Sequence, residues 1–365
     1  MRFLHTADWH LGKNLNERSL LEDQEAILKN MLQWIEDNPI DALFICGDIY
    51  DRSLPPKEAV KLLDMFLRRC VLDLKVPVFI IAGNHDSPER IAYASSLLEE
   101  SGLYVRGFAE LPLEPVILGN AHIYMWPYTE LNVLRWRHNI EADSMQEALT
   151  EIFQGVDVDP KAVNILLAHE YVLGGLESES ERPLMMGKAS ALSSDVFSPF
   201  DLVLLGHLHR PQSVKKEEVI YSGSLLKYSK SEAASIKSAN LIEIDQERRT
   251  ITPVSFSPLR DLRVIRGLFT QLLQEASDDF VYLELEDKHL IPDAMSRLRS
   301  CFPNALGLEY VSLERRLTSP QVGRGTGRMD LTTAFSRFYE SVRGEPIPEE
   351  HLKVTKSLAE ELERA

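Results

Sequence analysis

Ala42-Leu43-Phe44-Ile45-Cys46-Gly47-Asp48-Ile49-Tyr50-Asp51-Arg52 decides the reading of this chain. Apolar residues run unbroken to a glycine, and carboxylates follow at once. The run predicts a strand buried on both faces, and Gly47 permits a sharp exit. The same arrangement recurs along the chain. Phe3–Ala7 leads to Asp8-Trp9-His10, and Val78–Ala82 leads to Gly83-Asn84-His85-Asp86. Ile165–Ala168 leads to His169-Glu170, and Leu202–Leu205 leads to Gly206-His207-Leu208-His209. In α/β sheets, ligands bind beyond the carboxyl ends of strands.

Taken singly, each of these residues has an ordinary explanation. An Asp after a strand is usually a turn or a helix cap, Asn84 alone would be a turn residue, and one His-x-His often marks a surface strand. The joint pattern is what those explanations fail to cover. Every strand end carries Asp, His or Asn, and none carries a ligating Cys. Imidazole with carboxylate and amide oxygen suits Mn²⁺, Fe²⁺ or Zn²⁺. One carboxylate can bridge two such ions about 3.5–4 Å apart, the spacing of two-metal hydrolases.

Helical patterns separate the strands. Ile27, Leu28, Met31, Leu32 and Ile35 recur at spacings of three and four, as do Ala59, Leu62, Leu63, Phe66 and Leu67 after Pro55-Pro56. The expected fold is α/β, a layered domain over residues 1–258. Past Ser257-Pro258 the pattern changes. Strands are expected at Leu262–Ile265, Phe280–Leu285 and Leu308–Leu313, with helices near Phe269–Glu275 and Asp293–Cys301, giving a small second α/β unit at 259–318. Residues 319–329 carry three glycines and read as a flexible, basic linker. Beyond it, 330–365 reads as helical, with Leu331, Ala334, Phe335, Phe338, Tyr339 and Val342 on one apolar stripe and Leu352, Leu358 and Leu362 on a helix after Pro348. An amphipathic helix behind a flexible linker suits docking on a partner.

Composition narrows the class. Hydrophobic residues make up 44% of the 365 and charged residues 26%, ordinary for a soluble globular chain. No apolar run approaches the roughly 20 residues that span a bilayer, and the first residues reach a charge too early for a signal peptide. The three cysteines, Cys46, Cys70 and Cys301, are scattered and read as reduced thiols of a cytosolic protein, which excludes a CxxC zinc site. The net charge of −16, from 40 Lys+Arg against 56 Asp+Glu, sits awkwardly with nucleic-acid binding. Bound divalent cations would invert the local field, and a partner protein could supply the grip on a duplex. Arg135-Trp136-Arg137-His138 offers cationic and stacking groups, or else a solvated helix face around a buried tryptophan.

Asp-x-His, Gly-Asp-x-x-Asp-Arg, Gly-Asn-His-Asp, a strand-final His and Gly-His-x-His, in this order, resemble the motif set of the calcineurin-like metallophosphoesterases. Within that superfamily, His5-Thr6-Ala7-Asp8-Trp9-His10-Leu11-Gly12 is similar to the bacterial SbcD family. So are Gly206-His207-Leu208-His209-Arg210-Pro211-Gln212 and Tyr221-Ser222-Gly223-Ser224, although leucine follows Ser224 where the family pattern has proline. The resemblance covers residues 1–260 strongly and the remainder by layout. It implies two packed β-sheets flanked by helices, a small α/β capping domain and partner-binding C-terminal helices. It implies a first ion on Asp8, His10, Asp48 and His209, with Asp48 bridging to a second on Asn84, His169 and His207. His85 would protonate the leaving oxygen or stabilise the transition state, with the Asp51 carboxylate orienting it. Arg52 would contact a phosphate oxygen or form a salt bridge, and His5 and His122 would be structural.

The implied function is that of the nuclease component of an SbcCD-type complex, ATP-stimulated and Mn²⁺-dependent. Its activities would be 3′-to-5′ exonucleolysis of duplex DNA and cutting of hairpins, in end processing, repair and recombination. Its partners would be an SbcC-type coiled-coil ATPase docked on Leu331, Phe335, Phe338 and Val342, DNA, and a second copy within a heterotetramer. Its place would be the cytoplasm, at the nucleoid. A stand-alone metallophosphatase is the enzymatic alternative. An inactive scaffold is the other, which the full ligand complement argues against.

Overall fold

A computed structural model describes the chain except at residues 182–190, 216–217, 246–247, 312–330, 344 and 365. The residues fall into two compact units, Met1–Arg263 and Val264–Ala365.

The first unit is built on two six-stranded sheets. One is centred on parallel strands β1 (Arg2–Thr6), β4 (Ala42–Cys46), β5 (Val78–Ile81) and β6 (Leu103–Arg106). Antiparallel β13 (Ala239–Asp245) and β14 (Arg248–Val254) extend it past β1. The other is centred on parallel β8 (Ala121–Trp126), β9 (Val163–His169), β10 (Leu202–Gly206) and β12 (Val219–Tyr221). Antiparallel β7 (Val116–Leu118) and β11 (Gln212–Lys215) close its edges. A two-stranded ribbon, β2 (Asn14–Leu15) with β3 (Arg18–Ser19), projects after β1.

Period-two alternation explains how the sheets stack. Phe3, Phe44, Phe79 and Ile81 point from the first sheet into a core shared with Ile123, Ile165, Leu167, Leu202 and Leu204 of the second. The intervening residues of the second sheet, Tyr124, Trp126, Leu166, Val203 and Leu205, face the other way. They pack with Leu149, Ile152 and Phe153 of the helix Met145–Gln154 and with Phe197. Strands buried on both sides therefore carry no polar face, which is why they read as continuous apolar runs. The stripes predicted after β1 and β4 are α1 (Leu21–Asp37), burying Ile27, Leu28, Met31 and Ile35, and α2 (Lys57–Arg68), burying Ala59, Leu62, Leu63 and Phe66.

The second unit carries a sheet ordered β15 (Leu262–Gly267), β16 (Phe280–Leu285), β17 (Ala305–Tyr310). Phe269, Leu272, Val281, Leu283, Leu298 and Phe302 form its own core. The third strand starts at Ala305 rather than the expected Leu308, because Ala305 and Gly307 already pair with Val281 and Tyr282. The expected linker lies outside the described residues, and beyond it come helices Leu331–Arg343 and Glu349–Arg364. Among the described residues, no helix is long and apolar enough to cross a membrane.

Phe44 is fully buried between the sheets, so Phe44→Ala should destabilise the first unit by about 3–5 kcal/mol. The exposed Ile117 should tolerate alanine within about 0.5 kcal/mol. Urea unfolding of the two variants checks this, and equal losses would contradict the shared inter-sheet core.

Candidate metal centre

Parallel strands present all their carboxyl ends on one side, and the two sheets bring both sets of ends together. The closeness of that meeting is visible at the glycines. Gly47 has φ +84°, and a Cβ there would lie 2.1 Å from His169 Nδ1 on the opposite sheet. A Cβ on Gly206 would lie 1.8 Å from the Cys46 carbonyl oxygen. No side chain fits at either position, so Gly206 meets the Cys46 main chain and Gly47 packs directly on the His169 ring.

The loops after β1 and β4 run side by side, with Asp8 N–H donating to the Gly47 carbonyl (3.1 Å) and His10 N–H to the Asp48 carbonyl (2.9 Å). Asp8, His10 and Asp48 all have left-handed backbones, at φ +53°, +46° and +50°. Such conformations are uncommon for residues with a Cβ and concentrate at functional sites. Between the two ligand-type residues, Trp9 turns inward, its Nε1–H on Thr6 Oγ1 and its ring edge-on to Phe66.

The seven residues expected to hold metal converge at this seam. Asp8, His10 and His209 place ligand atoms within 4.8 Å of one another, and so do Asp8, Asp48 and His169. Asp48 Oδ2 stands 3.6 Å from His10 Nε2 and 3.6 Å from His169 Nε2, between the two groups. Asn84 Oδ1 lies 3.1 Å from His169 Nε2 and 3.3 Å from His207 Nδ1. His169 Nδ1–H donates to the Cys46 carbonyl (2.8 Å), which directs Nε2 inward. The Asp8 carboxylate accepts from His207 N–H at 2.9 Å, tying the first sheet's loop to the second sheet's loop.

Electrostatics make the site costly without cations. Burial pushes the Asp8 carboxyl up to about 7, against the pull of the His169 and His209 rings. Asp48 suffers the same burial, but His169, His10 and His85 outweigh it and hold its carboxyl well below the usual range. Burial drives His10 far below its ordinary value and takes His207 down to about 3. At His169 the adjacent Asp48 carboxylate overcomes burial and pushes the ring up to about 10. The buried carboxylates demand positive charge, and two of the rings around them resist supplying it as protons. His10 Nδ1 is buried without a hydrogen-bond partner among the described residues, and His10 Nε2 faces His209 Nε2 at 3.0 Å. Divalent cations held by this donor set would meet the demand, so the residues fit a metal centre.

His85 lies beside the cluster, edge-on to His10 with ring centroids 4.6 Å apart and Nε2 3.9 Å from Asp48 Oδ2. The group that orients it differs from expectation. His85 Nδ1–H donates to the main-chain carbonyl of Asp51 (2.8 Å), whereas the Asp51 carboxylate is held by Lys13 at 2.7 Å and stands 3.7 Å from His10 Nδ1. The turn after Asp48 carries the carbonyl to His85 and sets the carboxylate within 4.8 Å of a ring nitrogen of both His10 and His85. Arg52 is exposed and lines an open cavity of about 340 Å³ with Asn14 and Leu54. Trp136 is 81% exposed rather than buried, while Arg137 stacks on Phe108 and Arg135 bonds the Ala142 carbonyl. His5 is buried among the strands and His122 lies within β8, away from the ligand groups.

Two supports were not identified in the sequence. The Asp86 carboxylate accepts from the N–H groups of Ile49, Tyr50 and Gly83, stapling the Asp48 turn to the Asn84 turn. Burial, and Asp48 nearby, push its carboxyl up to about 7 despite those bonds. Gln24, buried at the start of α1, donates to the His10 carbonyl (2.8 Å) and accepts from Gly12 N–H (2.9 Å). Its signal was its place on the α1 stripe, three and four residues before Ile27 and Leu28, where a polar side chain is buried with them.

Gly47→Ala should cost at least about 1–2 kcal/mol of backbone strain and dislodge the His169 ring. Metal content after dialysis should fall while the far-ultraviolet circular dichroism persists. Full metal content in that variant would contradict the close contact of Gly47 with the His169 ring.

Residues 1–211 match the family model described as calcineurin-like phosphoesterase. Residues 258–343 match one described as the type 5 capsule protein repressor C-terminal domain. The chain is 35% identical over 353 residues to the SbcD component of the SbcCD nuclease of Staphylococcus saprophyticus, covering 94% of each chain. Among solved structures it is similar to a dimetal phosphatase from Danio rerio, at TM-score 0.44 and 13% identity over 71% of this chain and 98% of that one. A protein of Thermus thermophilus gives TM-score 0.39 and 12% identity over 69% and 98%. The chain is a hydrolase and belongs to the SbcD family of calcineurin-like phosphoesterases.

Proposed function

We propose that this chain is the DNA-cutting component of an SbcCD-type complex, hydrolysing phosphodiesters at a two-ion centre. The observation that carries the reading is the position of Asp48 Oδ2, 3.6 Å from a ring nitrogen on each side. Asp8, His10, Asp48 and His209 would hold one ion, and Asn84, His169 and His207, with Asp48, would hold the other. When bound, such a pair supplies Lewis-acid charge to a phosphoryl oxygen and lowers the pKa of an attacking water. The nitrogen and oxygen donors suit Mn²⁺, Fe²⁺ or Zn²⁺, and the family reading favours Mn²⁺ among them.

The chain's own residues do the rest. The Asp51 carbonyl fixes the His85 ring through Nδ1–H, which leaves Nε2 on the side of the cluster. Protonated there, His85 gives its Nε2 proton to the deoxyribose oxygen as the phosphorus–oxygen bond breaks. Asp51 acts through that carbonyl and by holding Lys13, and the exposed Arg52 meets a backbone phosphate. The duplex ends and hairpins, the 3′-to-5′ direction and the stimulation by ATP follow the family reading. So do action in repair and recombination and a place at the nucleoid.

Residues 259–318 serve as the cap that helps admit DNA, and the tail binds the SbcC-type ATPase. Phe335 and Phe338 are 42% and 54% exposed, which supports a face kept for a partner. The side chains of Leu331 and Val342 lie outside the described residues. Val354 and Leu358 on the following helix are exposed too. A partner that shares the duplex also answers the net charge of −16. A second copy of the chain pairs through helices of the first third, where Val60, Tyr93 and Leu97 are exposed.

His85→Ala should keep both ions and lose about 10²–10⁴-fold on duplex DNA, whose leaving oxygen needs a proton. Turnover of bis-p-nitrophenyl phosphate, with its good leaving group, should fall far less. Equal losses on both substrates would assign His85 to phosphate positioning instead, and hydrolysis of monoesters alone by the wild type would favour a stand-alone phosphatase.

Truncation after Ser319 should spare metal binding and small-diester turnover while eliminating ATPase binding in a pull-down. Undiminished pull-down would place the partner surface elsewhere.

A further inference from the structure

His209 is held differently from the other imidazoles of the cluster. His169 rests on a main-chain carbonyl, but His209 Nδ1 lies 2.6 Å from Ser180 Oγ. Ser180 Oγ in turn bonds Glu232 Oε1, and Glu232 Oε2 is bonded by Lys237 Nζ. Glu232 and Lys237 are buried, at 1% and 9% exposure. The same lysine donates to the His209 carbonyl (2.6 Å) and to Ser224 Oγ (2.9 Å). Glu232 Oε1 also accepts from Ser229 Oγ at 2.9 Å.

The direction of the chain of bonds is fixed by its end. There the Glu232 carboxylate is bonded by Lys237 Nζ on Oε2 and by the Ser180 and Ser229 hydroxyls on Oε1, the setting of a paired carboxylate. Ionised, it can only accept. The single hydroxyl proton of Ser180 therefore goes to Glu232, and Ser180 Oγ can receive only from His209 Nδ1–H. A neutral ring with its proton on Nδ1 has a lone pair on Nε2. That nitrogen is the one 3.0 Å from His10 Nε2 in the first ligand group. A buried ion pair is poor evidence of added stability, since desolvation consumes most of its attraction. Here it sits behind a ligand and grips that ligand at both side chain and main chain.

We propose that Glu232 and Lys237, acting through Ser180, are positioning residues for His209, fixing its tautomer and ring orientation so that Nε2 faces the first ion. The proposal rests on the two-ion reading above. Outer partners of metal-bound histidines commonly set affinity by about 10–100-fold.

The test uses the full-length protein and MnCl₂ as the probe, with calorimetric titration of the metal-free wild type first. Failure of the wild type to take up two ions would remove the two-ion reading itself. Given two ions, Ser180→Ala should weaken one of them by about 10–100-fold and leave the other unchanged, with an unaltered thermal melt. Ser180→Thr, which restores the hydroxyl, should restore that affinity. Glu232→Gln should weaken the same ion, and if it fails to fold because Lys237 is left unpaired, the Ser180 pair decides alone. Wild-type affinity for both ions in Ser180→Ala, equal weakening of both, or no rescue by threonine would overturn the proposal.

Discussion

Burying the Asp48 carboxylate where two sheets meet is the constraint on which the rest of this structure depends. An unpaired buried charge costs several kcal/mol, so the surroundings must answer it in full. They do so with imidazoles contributed by both sheets: His10 from the β1 loop, His85 from the β5 loop and His169 from the end of β9. Asp48 Oδ1 also accepts from His85 N–H at 2.8 Å. Those groups arrive only because Gly206 approaches the Cys46 main chain and Gly47 admits the His169 ring, and only because Asp8, His10 and Asp48 tolerate left-handed backbones. The inter-sheet core of Phe3, Phe44, Phe79 and Leu204 holds the two layers at that distance. Fold stability and site geometry are therefore the same problem at this end of the molecule.

The parts of the fold legible in the sequence were those with one physical meaning. Apolar runs ending in Gly-Asp, Gly-Asn-His and Gly-His-x-His are hard to satisfy except by strand ends around a common centre, and the ligand-type residues are found there. The central strand β8, Ala121–Trp126, escaped notice because His122, Tyr124 and Trp126 break the aliphatic pattern. Its aromatics fill the layer against the helix Met145–Gln154, which composition alone does not announce. The edge strand β11 is half polar and was equally silent.

What the sequence concealed at the site was mostly support. Asp86 stood within a quoted motif, yet its work is done on main-chain N–H groups, which leave no trace in residue types. Glu232 and Lys237 lie beyond the motifs and look like solvated charges until their burial is known. Asp51 stands beside His85, as its spacing from Asp48 suggested, with its carbonyl bonded to His85 Nδ1 and its carboxylate bonded by Lys13. Sequence distance fixes which residue arrives and does not fix which of its atoms is used.

The central claim is that the strand ends of both sheets form one centre for two ions sharing Asp48. Electron paramagnetic resonance of the metal-free protein titrated with Mn²⁺ tests it most directly, because ions joined by a bridging carboxylate are magnetically coupled and separate ions are not. The account predicts that the second equivalent converts the spectrum of isolated Mn²⁺ into that of an exchange-coupled pair. A spectrum that only grows in isolated Mn²⁺ signal, or saturation at a single equivalent, would contradict it.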